Sequence, residues 1–302
     1  MTTTALPSAR RVQFTYLLLT LLSTLAASFI WGINTLFLLD AGLSNTAAFA
    51  ANAFFAVGQL VFEVPTGVVA DVWGRRVSFL LGCATLLVST LLYLYMWDVQ
   101  AGMWGWALAS ILLGLGFTFF SGAVEAWLVD ALSATGFTGR LESVFGRAQA
   151  VAGAATLIGS VAGGFIAQET NLGVPYTLMA VVLAITLVVA FFLMRDLGFT
   201  PQRGERISNE VRRVVRASVD NGLRNPPVRW LMLTSPFSFG VAFYAFYAFQ
   251  PYLLELYGDQ DAFGIAGIAA AAFAVAQIVG GLAAPWVRGL FGRRSTGLIV
   301  SS

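Results

Sequence analysis

The sequence has no histidine and no lysine, and it has a single cysteine, Cys83. Without histidine the chain cannot form a Cys/His zinc site or a Ser/His or Cys/His nucleophile pair, and one cysteine cannot build a disulfide framework. Without lysine it cannot form a Gly-rich phosphate-binding loop of the kind that ends in Lys-Ser/Thr. We therefore expect no metal, no cofactor and no enzymatic activity.

Charged residues are also scarce. They make up 11% of the 302 residues, against about 25% in a typical soluble domain. Hydrophobic residues make up 58%, and the mean hydropathy is +0.79. Long apolar runs recur, each close to or above the roughly 20 residues that cross a bilayer as a helix. The sequence therefore predicts an all-α integral membrane protein, surrounded by lipid. The eight predicted spans are 14–39, 46–70, 77–97, 103–132, 141–168, 174–194, 228–256 and 262–287. A ninth apolar run starts at Ser295.

The 17 basic residues, all arginines, lie before the first span, at or close to every second join between the spans, and after the eighth span. The intervening joins carry only acidic charges: Asp40, Asp98, Glu169, Asp259 and Asp261. By the positive-inside rule, the N-terminus and the arginine-bearing loops are expected to be cytoplasmic. Because the basic residues follow this topology, nucleic-acid binding is not indicated.

The longest join divides the chain into regions. We predict a cytoplasmic N-terminus at 1–13, a six-helix bundle at 14–194, a cytoplasmic linker at 195–227 and a partial second bundle at 228–302. The linker pattern indicates an amphipathic basic helix, interpreted as a surface helix held by anionic headgroups. A partner-binding helix is the alternative.

An internal repeat relates the two bundles. Residues 56–76 read AVGQLVFEVPTGVVADVWGRR and residues 274–294 read AVAQIVGGLAAPWVRGLFGRR. Both copies end a span on the same predicted side, so the halves are parallel repeats, as in many secondary transporters. The matches at a constant offset of 218 positions include Gln59 and Gln277, Gly74 and Gly292, Arg75 and Arg293, and Arg76 and Arg294.

The loop after the second span resembles the signature of the major facilitator superfamily, with Gly67, Asp71, Gly74, Arg75 and Arg76 at the motif positions. In the second copy Gly292, Arg293 and Arg294 retain the end of the motif. The resemblance implies a helical bundle of two six-helix halves with the transport path between them. Because eight spans and the start of a ninth are present, we interpret the sequence as a C-terminally incomplete member.

The resemblance also implies that the motif loop is a conformational latch, with Asp130 as the acidic residue at the end of the fourth helix. The alternative is that these charges only anchor the loop at the membrane surface.

Glu63 and Glu125 are candidates for a proton or cation site. Each lies about eight residues inside the predicted cytoplasmic boundary, or roughly 12 Å at the helical rise. A charge near the bilayer centre costs on the order of 2.5 to 3.5 kcal/mol, so such acids usually face a cavity or a partner. A structural, hydrogen-bonded carboxyl is the alternative.

Asn34 and Gln250 are candidates for the substrate path, because the first and seventh helices line the cavity in the resembled family. Tyr244 and Tyr247 are candidate stacking surfaces for an apolar or cyclic substrate. The alternative is that isolated amides hold helices together.

We therefore predict a secondary active transporter that works by alternating access, is coupled to protons and exports a hydrophobic or cationic small molecule. Two alternatives stay open: a non-transporting remnant or partner/sensor protein, and an uptake permease for a neutral, sugar-like solute. The alanine-rich, arginine-only composition suggests a bacterial cytoplasmic membrane.

Overall fold

The computed structural model of the chain describes residues 8–200 and 207–290, and within them every regular element is a helix. Apolar runs with few charges form helices because a helix satisfies its own backbone hydrogen bonds inside a bilayer. A short π-helical segment, Val219–Leu223, follows the ninth α-helix. The α-helices are α1 Ala9–Trp31, α2 Asn34–Asp40, α3 Asn45–Trp73, α4 Arg75–Asp98, α5 Met103–Thr118, α6 Ala123–Ala134, α7 Leu141–Glu169, α8 Gly173–Leu193, α9 Ile207–Ser218, α10 Pro226–Tyr257 and α11 Phe263–Leu290.

Eight segments of the described chain are long and apolar enough to cross a membrane, which confirms the predicted number of spans. Two spans are interrupted. Gly32 and Ile33 separate α1 from α2 in the first span, and residues 119–122 separate α5 from α6 in the fourth. The first helix begins at Ala9, earlier than predicted, because the Ser8 side chain caps it by accepting a hydrogen bond from the Arg11 N–H.

The first six spans form one bundle. In it α1 packs against α7 and α8, α4 packs against α5 and α8, and α3 packs against α5. The later spans join this bundle where α11 runs along α7 and α10 contacts α2 and α11. In the 195–227 linker, α9 packs against α3.

Polar contacts bring alternate loops together at two ends of the bundle. At one end, called here the acidic end, the Trp97 indole N–H donates to Asp40 at 2.7 Å, and the Gly264 N–H donates to the Gln168 side chain at 3.1 Å. At the other, the arginine-bearing end, the Arg76 N–H donates to Asp196 at 2.9 Å.

The buried core is divided between the same two ends. At the acidic end one apolar cluster combines Ile33 and Leu36 with Leu254 and Ala266 of the later spans. At the arginine-bearing end a second cluster draws, among the described residues, only on positions before 200. Among the residues whose burial the structure describes, the two parts of the chain therefore share a buried core at the acidic end.

Candidate functional site

A cavity of about 520 Å³ lies between the first six spans and the two later ones. Residues from both parts of the chain line it, and none of the lining residues carries a formal charge. Its wall is dominated by nine aromatic side chains: Trp31, Phe55, Tyr93, Phe117, Phe239, Phe243, Phe246, Tyr247 and Phe273. This central cavity can therefore hold an apolar or aromatic molecule of moderate size.

A chain of hydrogen bonds fixes the amides in the cavity wall. The Tyr176 hydroxyl donates to Asn34 Oδ1 at 2.8 Å, and Asn34 Nδ2 donates to Asn52 Oδ1 at 2.7 Å. Asn52 is 3% exposed, and its Nδ2 has no hydrogen-bond partner among the described residues. Because an unpaired buried donor costs about 1–3 kcal/mol, Asn52 is suited to donate to a bound molecule.

Gln59 and Gln277 also line the central cavity, one from each part of the chain. The sequence repeat pairs these two glutamines, but from the sequence we assigned neither to the path. The available signal was a glutamine at the same position of both repeat copies, within the apolar part of each span.

The predicted path residues occupy different positions. Asn34 and Tyr247 line the central cavity. Tyr244 is not among the lining residues: its side chain is 60% exposed, and its ring packs against Phe49 with centroids 5.2 Å apart.

Gln250 joins the seventh span to the interruption in the first. Its Oε1 accepts from the Thr35 N–H at 2.9 Å, and its Nε2 donates to the Trp31 carbonyl at 3.1 Å. The interruption at Gly32 and Ile33 frees backbone groups that an unbroken helix would pair. One side-chain amide therefore satisfies a donor and an acceptor of another span, and Gln250 is not among the cavity-lining residues.

The predicted latch residues lie together at the arginine-bearing end. The Arg75 guanidinium is 2.6 Å from the Asp71 carboxylate, at i,i+4 spacing, and 4.0 Å from the Asp130 carboxylate. Gly67 lies apart from them, in a part of α3 where an added Cβ would meet nothing within 4 Å. Gly292, Arg293 and Arg294 of the second motif copy lie outside the described residues.

Asp196 belongs to this cluster, although the sequence did not single it out. Besides accepting from the Arg76 N–H, its carboxylate occupies the space that a Cβ on Gly74 would need. Gly74 has a φ of +110°, a conformation that favours glycine. Partial burial of the carboxyl raises the pKa of Asp196, although the residue as a whole is exposed and the Arg76 N–H and guanidinium oppose the shift.

The structure separates the two candidate acids by their surroundings. Glu63 accepts a hydrogen bond from the Ser121 hydroxyl at 2.6 Å, at the interruption of the fourth span. Glu125 lies in the first turn of α6 and lines a second cavity of about 450 Å³. Thr24 lines both this side cavity and the central one, whereas neither acid lines the central cavity. In the part of the chain that the structure describes, no cluster of three or more potential metal ligands occurs.

Residues 16–302 match the family model of the Major Facilitator Superfamily. No curated protein matches the chain.

Proposed function

The chain belongs to the major facilitator superfamily, and from this premise we propose that it exports aromatic, hydrophobic or cationic small molecules in exchange for protons. Membership and the eight candidate spans make it a secondary transporter and an integral, multi-pass membrane protein. The proposal adds the substrate class, the direction and the coupling ion. It also places the protein in a bacterial cytoplasmic membrane, with the N-terminus and the arginine-bearing end in the cytoplasm.

The central cavity is the observation that carries this proposal. Its volume of about 520 Å³ lies in the range of small-molecule sites, and its nine rings offer stacking and cation–π contacts. The free Asn52 Nδ2 adds one donor for an ether, carbonyl or hydroxyl oxygen. An anionic substrate is disfavoured because no arginine of the described part of the chain lines the cavity.

The arrangement of the two halves supports alternating access. They share a buried core at the acidic end, where Gln250 also bridges the spans, and the described residues form no such shared core at the arginine-bearing end. Export requires these acidic-end contacts to separate while the cavity stays between the halves. We assign the latch role to Asp71, Arg75, Arg76 and Asp130, with Gly292, Arg293 and Arg294 as its second-half counterpart.

We assign the proton to Glu63. It lies one helical turn from Gln59, which lines the central cavity, and its carboxylate is held by Ser121. Protonation of the Ser121-bonded oxygen would exchange an accepted hydrogen bond for a donated one, so the contact between the second and fourth spans would respond to the proton.

The test uses berberine, a flat aromatic cation with ether oxygens, in everted membrane vesicles. Respiration acidifies these vesicles, and berberine entry in exchange for protons should partly dissipate the pH gradient. Glu63→Gln should abolish this proton release but retain counterflow of labelled against unlabelled berberine, because counterflow needs no net proton movement. Glu142→Gln is the matched control, since that side chain is 79% exposed and forms an ion pair with exposed Arg140 at 3.8 Å.

Each outcome bears on a separate part of the proposal. Absence of berberine counterflow in the wild-type chain contradicts the substrate class. Counterflow without any effect on the pH gradient contradicts proton coupling. Unchanged proton release in Glu63→Gln contradicts only the assignment of the proton to Glu63, and leaves the substrate class and proton coupling standing.

A further inference from the structure

The side cavity combines an exposed carboxylate with aromatic rings. It lies toward the arginine-bearing end, between α1, α4, α6 and α7, and contains two pairs of aromatic rings. Tyr16 and Phe145 meet edge to face with centroids 6.2 Å apart, and Phe79 and Phe120 stack at 4.7 Å. Glu125 supplies the single carboxylate among the lining residues.

The Glu125 carboxylate has no hydrogen-bond or ion-pair partner among the residues that the structure describes. Two arginines at the same end of the bundle have partners of their own: Arg75 pairs with Asp71, and the Arg76 guanidinium donates to the Phe191 carbonyl at 2.7 Å. The position in the first turn of α6 favours a negative charge there through the helix dipole. The side cavity therefore presents a negative charge beside aromatic rings and supplies no positive charge of its own.

We propose that the side cavity is a binding site for organic ammonium cations that carry an aromatic ring or short alkyl groups. Glu125 provides the counter-charge, and the ring pairs provide apolar and cation–π contact. A cavity of about 450 Å³ has room for such a cation.

The side cavity adjoins the central cavity at Thr24, which lines both spaces. A cation from the arginine-bearing side would first bind beside Glu125 and then pass Thr24 to the uncharged, ring-lined central cavity. This second step rests on the proposed export function, whereas binding at the side cavity does not.

The decisive comparison uses two probes of nearly the same shape, phenyltrimethylammonium and uncharged tert-butylbenzene. Their binding to the purified full chain in lipid nanodiscs is measured by titration calorimetry. Glu125→Gln should weaken binding of the cation about tenfold or more, as expected for loss of a close counter-charge, and leave binding of tert-butylbenzene unchanged. Because phenyltrimethylammonium carries no exchangeable proton, the loss cannot arise from a proton-transfer role of Glu125.

Two further variants separate a site from a general effect. Phe145→Leu keeps an apolar side chain but removes a ring, so it should weaken binding of the cation by about threefold and affect tert-butylbenzene little. Glu142→Gln should bind both probes as the wild type does. Glu125→Asp, which keeps the charge, should retain most of the binding and so distinguishes loss of charge from misfolding of Glu125→Gln.

Equal affinity of the cation for the wild type and Glu125→Gln overturns the proposal, as does an equal loss in Glu142→Gln. Failure of the wild type to bind the cation also overturns it. Berberine counterflow in the wild type tests the export function independently, so retained counterflow with failed ammonium binding rejects the side-cavity site and leaves export standing.

Discussion

Gly163 occupies the tightest crossing between the first and fifth spans. A Cβ built on Gly163 would overlap the Phe29 carbonyl oxygen and would lie 2.8 Å from the Phe29 carbonyl carbon and 3.0 Å from its Cα. These are backbone atoms within α1, so they cannot move aside by changing a rotamer. Gly163→Ala is therefore expected to push α1 and α7 apart and to destabilise the protein.

The size of the effect follows from two opposing contributions. Inserting a methyl group into a well-packed interior typically costs about 1–3 kcal/mol. Replacing glycine by alanine inside a helix returns about 0.5–1 kcal/mol. The expected net loss in the free energy of unfolding is thus about 1 kcal/mol, within a range of about 0–2.5 kcal/mol.

Gly146 provides the matched control because it lies in the same helix and an added Cβ would meet nothing within 4 Å. Gly146→Ala should be neutral or stabilising by up to about 1 kcal/mol. The difference between the two variants isolates the steric cost, because the helix-propensity contribution is common to both. It is measured by unfolding the detergent-solubilised protein with increasing mole fractions of dodecyl sulfate, followed by tryptophan fluorescence. Equal free energies of unfolding for the two variants would refute the close backbone approach of α1 and α7.

Two further predictions concern polar contacts. Gln250→Leu should leave the Trp31 carbonyl and the Thr35 N–H without their partner, at a cost of about 1–3 kcal/mol per group. The readout is hydrogen exchange of the Thr35 amide, which should be faster than in the wild type. Unchanged protection of this amide would contradict its hydrogen bond to Gln250. For Asp196, a raised pKa means that the folded state holds the proton more tightly than the unfolded state. The contribution of Asp196 to stability should therefore fall as the pH rises from its unfolded pKa through its folded pKa, and then stay level. Asp196→Asn should lose this fall, while its side-chain oxygen still accepts from the Arg76 N–H. Melting temperatures of both proteins from about pH 3.5 to about pH 7 test this, and parallel profiles would count against it.

The helical fold and the number of spans could be predicted from the sequence because hydropathy over about 20 residues is a local property. The contact between Asp71 and Arg75 was also accessible, because residues four apart lie on the same face of a helical turn. The repeat identified Gln59 and Gln277 as equivalent, although it could not show that both face one cavity.

Other features depended on contacts between distant segments. Asp196 joins the latch cluster 120 residues away from Arg76, and no spacing rule connects the two. The interruptions of the first and fourth spans are equally invisible in hydropathy, since the first is stabilised by Gln250 from the seventh span.

The aromatic residues of the seventh span show the same limit most clearly. They cover most of the helix circumference, so the sequence could not determine which of them face the path. Packing against the first and second spans decides it: Tyr247 lines the central cavity while Tyr244 lies outside it against Phe49. The sequence alone determined that the chain crosses the membrane as helices, because burial in lipid depends on composition along each segment. Only the tertiary structure decided which polar and aromatic side chains meet, because that depends on how each helix is rotated against its neighbours.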